Sequence, residues 1–193
     1  MTAQIPDRLD YEGHEFSIVG IKGEGLAHPL DFGMQPTTIH TGCYRGYYST
    51  YSCVNGKLKL ISLTLRTADG TYIAIHDVRP ELDRITNRDG KEVTANATYS
   101  GLEIDVAFSG GLLVARDFIQ EMYVHMGFQK PYAYERVIEM MFRNGQLVGQ
   151  IDHSDRMAFI RQEVISGEER KPGSFNRDEM KDWIEWTFSL DYD

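Results

Sequence analysis

The segment YYSTYSCVNGKLKLISLTLR, residues 47–66, decides the fold because it contains the full pattern of a β-hairpin. Two runs rich in tyrosine, threonine and aliphatic residues flank Asn55-Gly56. A type I′ turn needs positive φ at both central residues, and Asn followed by Gly accepts this with little strain. The segment therefore predicts two antiparallel strands, Tyr47 to Val54 and Leu58 to Arg66, joined by a tight turn.

The apolar pattern changes phase within the second arm of this hairpin. Leu58 and Leu60 share one face of an extended chain, whereas Ile61, Leu63 and Leu65 share the other. Because side chains alternate with a period of two, this change requires either two buried faces or a β-bulge. A bulge in a long strand bends a sheet, so we expect the sheet to be curled.

The same turn signal recurs at Asp69-Gly70, Asp89-Gly90 and Asn144-Gly145, which indicates antiparallel strands laid down in sequence order. Apolar residues at helical spacing predict helices over residues 117–126, 155–165 and 176–188. The predicted fold class is α+β: an antiparallel curled β-meander, barrel-like or open, of about seven to nine strands with about three helices packed on it.

The chain is predicted to be a single domain, residues 1–193. Residues 1–12 read as an irregular lead-in before the first strand. Residues 167–175 are charged and contain a proline, which is typical of a linker. Met180, Trp183 and Ile184 repeat at helical spacing, so residues 176–188 are predicted to be a C-terminal helix docked on the sheet.

Composition excludes several classes of function. The 29 acidic residues against 20 basic ones give a formal net charge of −9, which argues against nucleic-acid binding through phosphate contacts. No stretch approaches the roughly 20 apolar residues that span a bilayer, so no membrane association is expected. Two cysteines are too few for a disulfide-stapled secreted domain. We therefore expect a cytoplasmic protein with free thiols.

An aromatic strip is the best candidate for a binding surface. It comprises Tyr44, Arg45, Tyr47, Tyr48 and Tyr51. Tyrosines suit pockets and interfaces because one end is apolar and the other forms hydrogen bonds, although they are also favoured in ordinary strands. The leading hypothesis is a non-catalytic binding or interaction protein without a cofactor. It would use this strip, or a cavity in the curled sheet, for an unknown small apolar ligand or a protein partner.

The main alternative is a hydrolase or metal-dependent enzyme that uses His40 and Cys43, with His76 as a further candidate. No second pair of ligands at zinc spacing and no cysteine-hydrolase signature accompany these residues, so packing explains them better. The cluster Asp152-His153-Ser154-Asp155 is explained by helix capping. The sequence therefore predicts no catalytic residue and no metal ligand.

Three glycines near the N-terminus, Gly20, Gly23 and Gly25, superficially resemble a phosphate-binding loop. Their spacing does not match a dinucleotide fingerprint, and no Lys-Ser/Thr pair follows them. We reject a phosphate site there.

Two longer runs, GGLLVARDFI at residues 110–119 and YVHMGF at residues 123–128, resemble a pattern in bacterial proteins of uncharacterised function. The shorter runs IPD at 5–7, CYRG at 43–46 and NGQL at 144–147 are compatible with the same group. The resemblance implies a bacterial cytosolic protein and transfers no catalytic residue. In size and acidity the chain is also similar to immunity proteins that bind and neutralise toxins.

Self-association is a third possibility. If the predicted sheet does not close, its two edge strands are unpaired, and pairing between the edges of two copies would form a homodimer.

Overall fold

The computed structural model describes residues 2–166, which form nine strands and one α-helix. The strands are β1 (Arg8–Tyr11), β2 (His14–Glu24), β3 (Tyr47–Val54), β4 (Lys57–Leu65), β5 (Glu81–Thr86), β6 (Glu92–Asp105), β7 (Ser109–Phe118), β8 (Tyr134–Arg143) and β9 (Gln146–Asp152). The helix is α1 (Ser154–Ser166), and short 3-10 turns lie at Pro29–Phe32, Gln120–Met122 and Pro131–Ala133.

Seven of these strands close into a ring in the order β4, β3, β1, β2, β7, β8, β9. A pairing of Lys57 with Gln146 returns the ring from β9 to β4. β1 and β3 run parallel, and every other pairing among the described strands is antiparallel. β6 adds to β4 beside the closure and carries β5, so the β5–β6 hairpin extends the sheet beyond the ring.

The predicted bulge in β4 is confirmed at Ile61. On the β3 side, Thr50 pairs with Ser62 and Tyr51 pairs with Leu60, so Ile61 has no partner. The β6 register also shifts between Leu60 and Ser62. One extra residue on β4 therefore bends the strand against both neighbours, which helps the sheet to curl.

The main core is filled by side chains from the strands. Leu60, Leu65, Phe108, Leu112 and Met140 all have 0% exposure. A side chain with no accessible surface has no water-sized space beside it, so the interior around these residues is closely packed.

A second, smaller core lies where α1 packs on β8 and the 3-10 turn at Pro131–Ala133. Met157 of the helix joins Val19, Leu113 and Val137 there. These strand residues alternate with those of the main core, so this second core lies on the outer face of the sheet. The helix therefore covers part of the outside of the ring.

The predicted fold class was wrong in its helices. Among residues 2–166 there is one α-helix, at Ser154–Ser166, where residues 155–165 were predicted to be helical. The predicted helix over 117–126 is the end of β7, a single 3-10 turn and a loop. The predicted linker at 167–175 and helix at 176–188 lie outside the described residues.

None of the described helices is long and apolar enough to cross a membrane.

The predicted meander was also wrong, because several pairings join strands that are not consecutive in sequence. β2 pairs with β7, and β1 lies between β2 and β3. Arg8–Tyr11, part of the predicted lead-in, is strand β1. Residues 72–75, which follow the turn signal Asp69-Gly70, form only an isolated bridge between Ile75 and Val78, whereas Glu81–Thr86 form strand β5.

Alkaline pH should reveal the burial of Tyr99. Its hydroxyl donates a hydrogen bond of 2.6 Å to the Ile73 carbonyl, and burial raises the pKa of Tyr99 from 10.0 to about 12. A raised folded-state pKa gives stability that is complete below the unfolded value and lost as pH rises through the folded value. We expect the free energy of unfolding, measured with urea, to fall between pH 10.0 and about 12.

The matched variant is Tyr99→Phe, which removes the ionisable group. It should cost about 1 kcal/mol at neutral pH through the lost hydrogen bond. Its stability should fall less steeply than that of the wild type in the same alkaline range. Equal slopes for the two proteins would show that Tyr99 does not contribute.

Candidate functional site

The five residues of the aromatic strip do not share one surface. Because β3 alternates, Tyr47 and Tyr51 point to the inner face and Tyr48 to the outer face. Tyr51 is 1% exposed, and Tyr47 and Tyr48 are half-buried. Tyr44 precedes the strand and is 55% exposed. Of the four tyrosines, only Tyr44 therefore presents a largely free side chain.

Arg45 forms a buried ion pair with Asp7. Its two terminal nitrogens donate to the carboxylate of Asp7, at 2.9 and 2.6 Å, and its Nε donates to the Tyr47 carbonyl. The same carboxylate accepts from the Ser49 backbone N–H at 2.6 Å. Burial alone would lower the pKa of Arg45, but the Asp7 carboxylate more than offsets this and raises it. Arg45 thus fixes its loop to the chain that enters β1.

Tyr47 and Tyr51 have packing roles. The Tyr47 ring lies 4.8 Å from the Arg45 guanidinium carbon and 4.9 Å, edge-on, from the His28 ring. The Tyr51 hydroxyl lies 3.4 Å from the Ala27 carbonyl, and burial raises the pKa of Tyr51 above its usual value. A ligand could reach the Tyr51 ring only by displacing its neighbours, and the half-buried Tyr47 ring is held by Arg45 and His28.

Exposed apolar side chains also project from the loop at residues 123–128, which Gln4 joins to the loop of Tyr44. They are Tyr123, Met126 and Phe128, which are 37%, 58% and 38% exposed. The guanidinium carbon of Arg45, next to Tyr44 in sequence, is 5.8 Å from the centre of the Phe128 ring. We call Tyr44, Tyr123, Met126 and Phe128 the aromatic surface.

The N-terminal segment holds the two loops of the aromatic surface together. The Gln4 backbone N–H donates to the Gly127 carbonyl at 2.8 Å. The Gln4 side chain accepts from the Tyr44 backbone N–H at 3.0 Å and donates to the Thr41 carbonyl at 2.9 Å. One residue therefore bonds to both loops, and the exposed side chains stand on a hydrogen-bonded frame.

A second contact stiffens the 123–128 loop from within. The Gln129 side chain accepts from the Val124 backbone N–H at 3.0 Å and donates to the Val124 carbonyl at 2.9 Å. This side chain imitates the hydrogen bonding of a neighbouring strand. Sequence reasoning missed this part of the site, because it had predicted a helix over residues 117–126.

The geometry around His40 and Cys43 does not form a nucleophile and base. The His40 Nδ1 accepts from the Gly42 backbone N–H, and the Cys43 Sγ lies 3.4 Å from the Tyr47 carbonyl. Cys43 is 1% exposed, and burial raises the pKa of its thiol. A buried thiol with a raised pKa is a poor nucleophile.

Metal ligation finds no support in the described part of the chain. His76 is exposed in a turn with φ 44°. Cys43 and Cys53 are both buried and free of disulfides. Among residues 2–166 there is no group of three or more His, Cys, Asp or Glu side chains that could hold a metal ion.

The cluster at residues 152–155 anchors α1 to the sheet. The Ser154 backbone N–H and hydroxyl both donate to the Asp152 carboxylate, and these bonds lower the pKa of Asp152. The Ser154 hydroxyl also accepts from the Val137 backbone N–H on β8. His153 contacts Glu139 with Nε2 to Oε2 at 2.9 Å, and both side chains are largely buried. These contacts between the start of α1 and the sheet explain why the four residues occur together, without a catalytic role.

Comparison with known proteins gives no match: no family model matches the chain, and no curated protein or solved structure does so. The resemblance to uncharacterised bacterial proteins and the similarity to immunity proteins remain predictions.

Proposed function

We propose that this protein is a non-catalytic interaction protein that binds a protein partner through the aromatic surface. The observation that carries the proposal is that four exposed large apolar side chains lie on two loops joined by Gln4. Grouped apolar side chains exposed to water are unfavourable unless a partner covers them. Tyr, Phe and Met are also the residues enriched at the centre of protein interfaces.

Packing of the main core favours a protein partner over an enclosed small ligand. A typical ligand pocket has a volume of about 300 Å³ or more. Leu60, Leu65 and Phe108 have no accessible surface, so an apolar ligand among them would have to displace core side chains. The aromatic surface, by contrast, is accessible without any rearrangement.

Charge favours a basic partner. The formal net charge of −9 gives the protein a negative field that attracts basic proteins at low salt. Such attraction accelerates association more than it adds affinity. Binding to the proposed partner should therefore become slower as the ionic strength rises.

A double variant, Tyr44→Ala with Phe128→Ala, tests this proposal. Cross-linked complexes would be captured from the source cells with wild-type protein, and each candidate partner would be purified and titrated by calorimetry. Truncation of a hot-spot residue costs about 2 kcal/mol or more, and tenfold in affinity is about 1.4 kcal/mol, so we expect at least about tenfold weaker binding by the double variant. The stoichiometry of the wild-type complex should be a simple ratio.

The matched control is Ile85→Ala with Val148→Ala, two side chains that are 49% and 58% exposed on other strands. This control should bind the purified partner with wild-type affinity. Equal binding by all three proteins would place the interface elsewhere. Equal loss in both double variants would show non-specific apolar adhesion, and either result would refute the proposal.

A further inference from the structure

Two arginines lie opposite each other at the end of the ring where β7 finishes and β8 begins. Arg116 on β7 and Arg136 on β8 are direct cross-strand partners, so their side chains project from the same face. The Arg116 guanidinium carbon is 5.7 Å from the centre of the ring of Phe16, a main-core residue. The face is therefore the inner one, and two positive charges meet there.

The carboxylates beside this pair neutralise it only weakly. Arg116 Nη1 is 3.1 Å from Asp117, and Arg136 Nη2 is 3.4 Å from Asp152. The two carboxyl side chains are 54% and 50% exposed, so water screens both contacts. Asp152 also accepts two hydrogen bonds from Ser154. Each of these ion pairs engages one terminal nitrogen of its guanidinium, so other N–H groups of both arginines can donate to a further acceptor.

One of these donors is buried without any acceptor. The Nε of Arg116 has no hydrogen-bond partner among the residues that the structure describes. A buried charged donor that lacks an acceptor is unfavourable. An acceptor-rich ligand near Arg116 would offset this cost.

The surroundings of the arginine pair combine further donors with an apolar floor. Gln150 lies two residues before Asp152 on the same face of β9, and the Tyr11 hydroxyl donates to its side-chain oxygen at 3.0 Å. This bond leaves the amide NH2 of Gln150 as a further donor. Phe16 and Ile138 lie on the same inner face and are 3% and 8% exposed. The site thus offers hydrogen-bond donors above an apolar base.

We propose that this end of the ring binds the oxyanion of a small ligand between Arg116 and Arg136. A guanidinium presents a planar set of N–H groups that matches a carboxylate or phosphate in two parallel hydrogen bonds. The apolar floor favours a carboxylate with a short apolar body over inorganic phosphate. This site is separate from the aromatic surface, so its test does not depend on the test of the proposed function.

The test is an NMR titration of the whole chain with hexanoate and, separately, with inorganic phosphate. Both the Arg Nε–H signals and the side-chain amide signal of Gln150 would be followed. We expect saturable shifts of the Arg116 Nε–H and Gln150 signals with hexanoate, and weaker binding of phosphate. Arg136→Gln should bind hexanoate at least about tenfold more weakly, the loss expected for a charge-assisted hydrogen bond.

Arg143→Gln is the matched control, because Arg143 is an exposed arginine at the other end of β8. It should leave hexanoate binding unchanged. Arg136→Lys, which keeps the charge and loses the planar fork, should bind with intermediate affinity, and it replaces Arg136→Gln if that variant fails to fold.

Three outcomes would overturn the proposal. One is the absence of saturable shifts with both ligands up to about 10 mM. Another is equal binding by the wild type and the Arg136 variants. The third is an equal loss in Arg143→Gln, which would indicate general attraction of anions. Tighter binding of phosphate than of hexanoate would support the oxyanion site and refute the apolar body of the ligand.

Discussion

Replacing Asp7 by Asn is expected to lower the free energy of unfolding by about 3 kcal/mol, a typical cost of breaking a buried ion pair. The Asp7 side chain is 7% exposed and accepts from both terminal nitrogens of Arg45 and from the Ser49 N–H. An Asn side chain has one acceptor oxygen, and its NH2 group would face the guanidinium. The loss would be measured as a lower midpoint of urea unfolding at unchanged slope.

Two comparisons make this expectation specific to the buried pair. Glu15→Gln removes a surface ion pair with Arg8, whose partners are 50% and 57% exposed, and should cost less than about 1 kcal/mol. The double variant Asp7→Asn with Arg45→Met removes both members of the buried pair and should regain part of the loss. If Asp7→Asn cost no more than Glu15→Gln, the pair would have no structural importance.

The turns of this fold could be predicted because their signals are local. Asn55-Gly56, Asp89-Gly90 and Asn144-Gly145 each join two paired strands, as their dipeptides indicate. Asp69-Gly70 is the exception: the Asp69 carboxylate accepts from the Thr71 backbone N–H, and residues 72–75 form no strand. A dipeptide specifies a reversal of the chain, but strand pairing depends on what the flanking residues can bury.

The long-range pairings had no local signal. β1 lies parallel to β3, and β2 pairs with β7, across separations of about 40 and 100 residues. The bond between Gln4 and the Tyr44 N–H and the ion pair between Asp7 and Arg45 depend on these pairings. The aromatic strip included Tyr44, which the structure leaves exposed. The rest of the aromatic surface came from a loop whose position no sequence pattern fixed.

The predicted helix over 117–126 failed because two periodicities overlap there. Ile119, Met122 and Met126 have helical spacing, but the β-strand that contains Val114 continues to Phe118, which pairs with Tyr134. A helix starting at residue 117 would have lost the pairing of Phe118 with Tyr134 and the bond from the Ile119 N–H to the Ala133 carbonyl. Tertiary hydrogen bonding thus overrode the helical pattern.

Gly23, one of the glycines that superficially resembled a phosphate loop, instead allows β2 and β7 to approach closely. Gly23 pairs with Gly110, and the two residues have φ of 134° and 142°. A Cβ on Gly110 would overlap the Lys22 carbonyl oxygen and come within 2.8 Å of the Gly23 Cα. Since both neighbours are backbone atoms, no side-chain rotation could relieve the overlap.

Gly110→Ala should therefore lower the free energy of unfolding by at least about 3 kcal/mol, through backbone strain and overpacking combined. Gly13→Ala is the control, because Gly13 has φ 77° with no atom within 4 Å of a built Cβ. That variant bears only the cost of a left-handed residue, about 1–2 kcal/mol. Urea unfolding of both variants gives the comparison. Equal losses would mean that the β2–β7 seam can open to admit a side chain, and that the ring closes less tightly there than the facing glycines indicate.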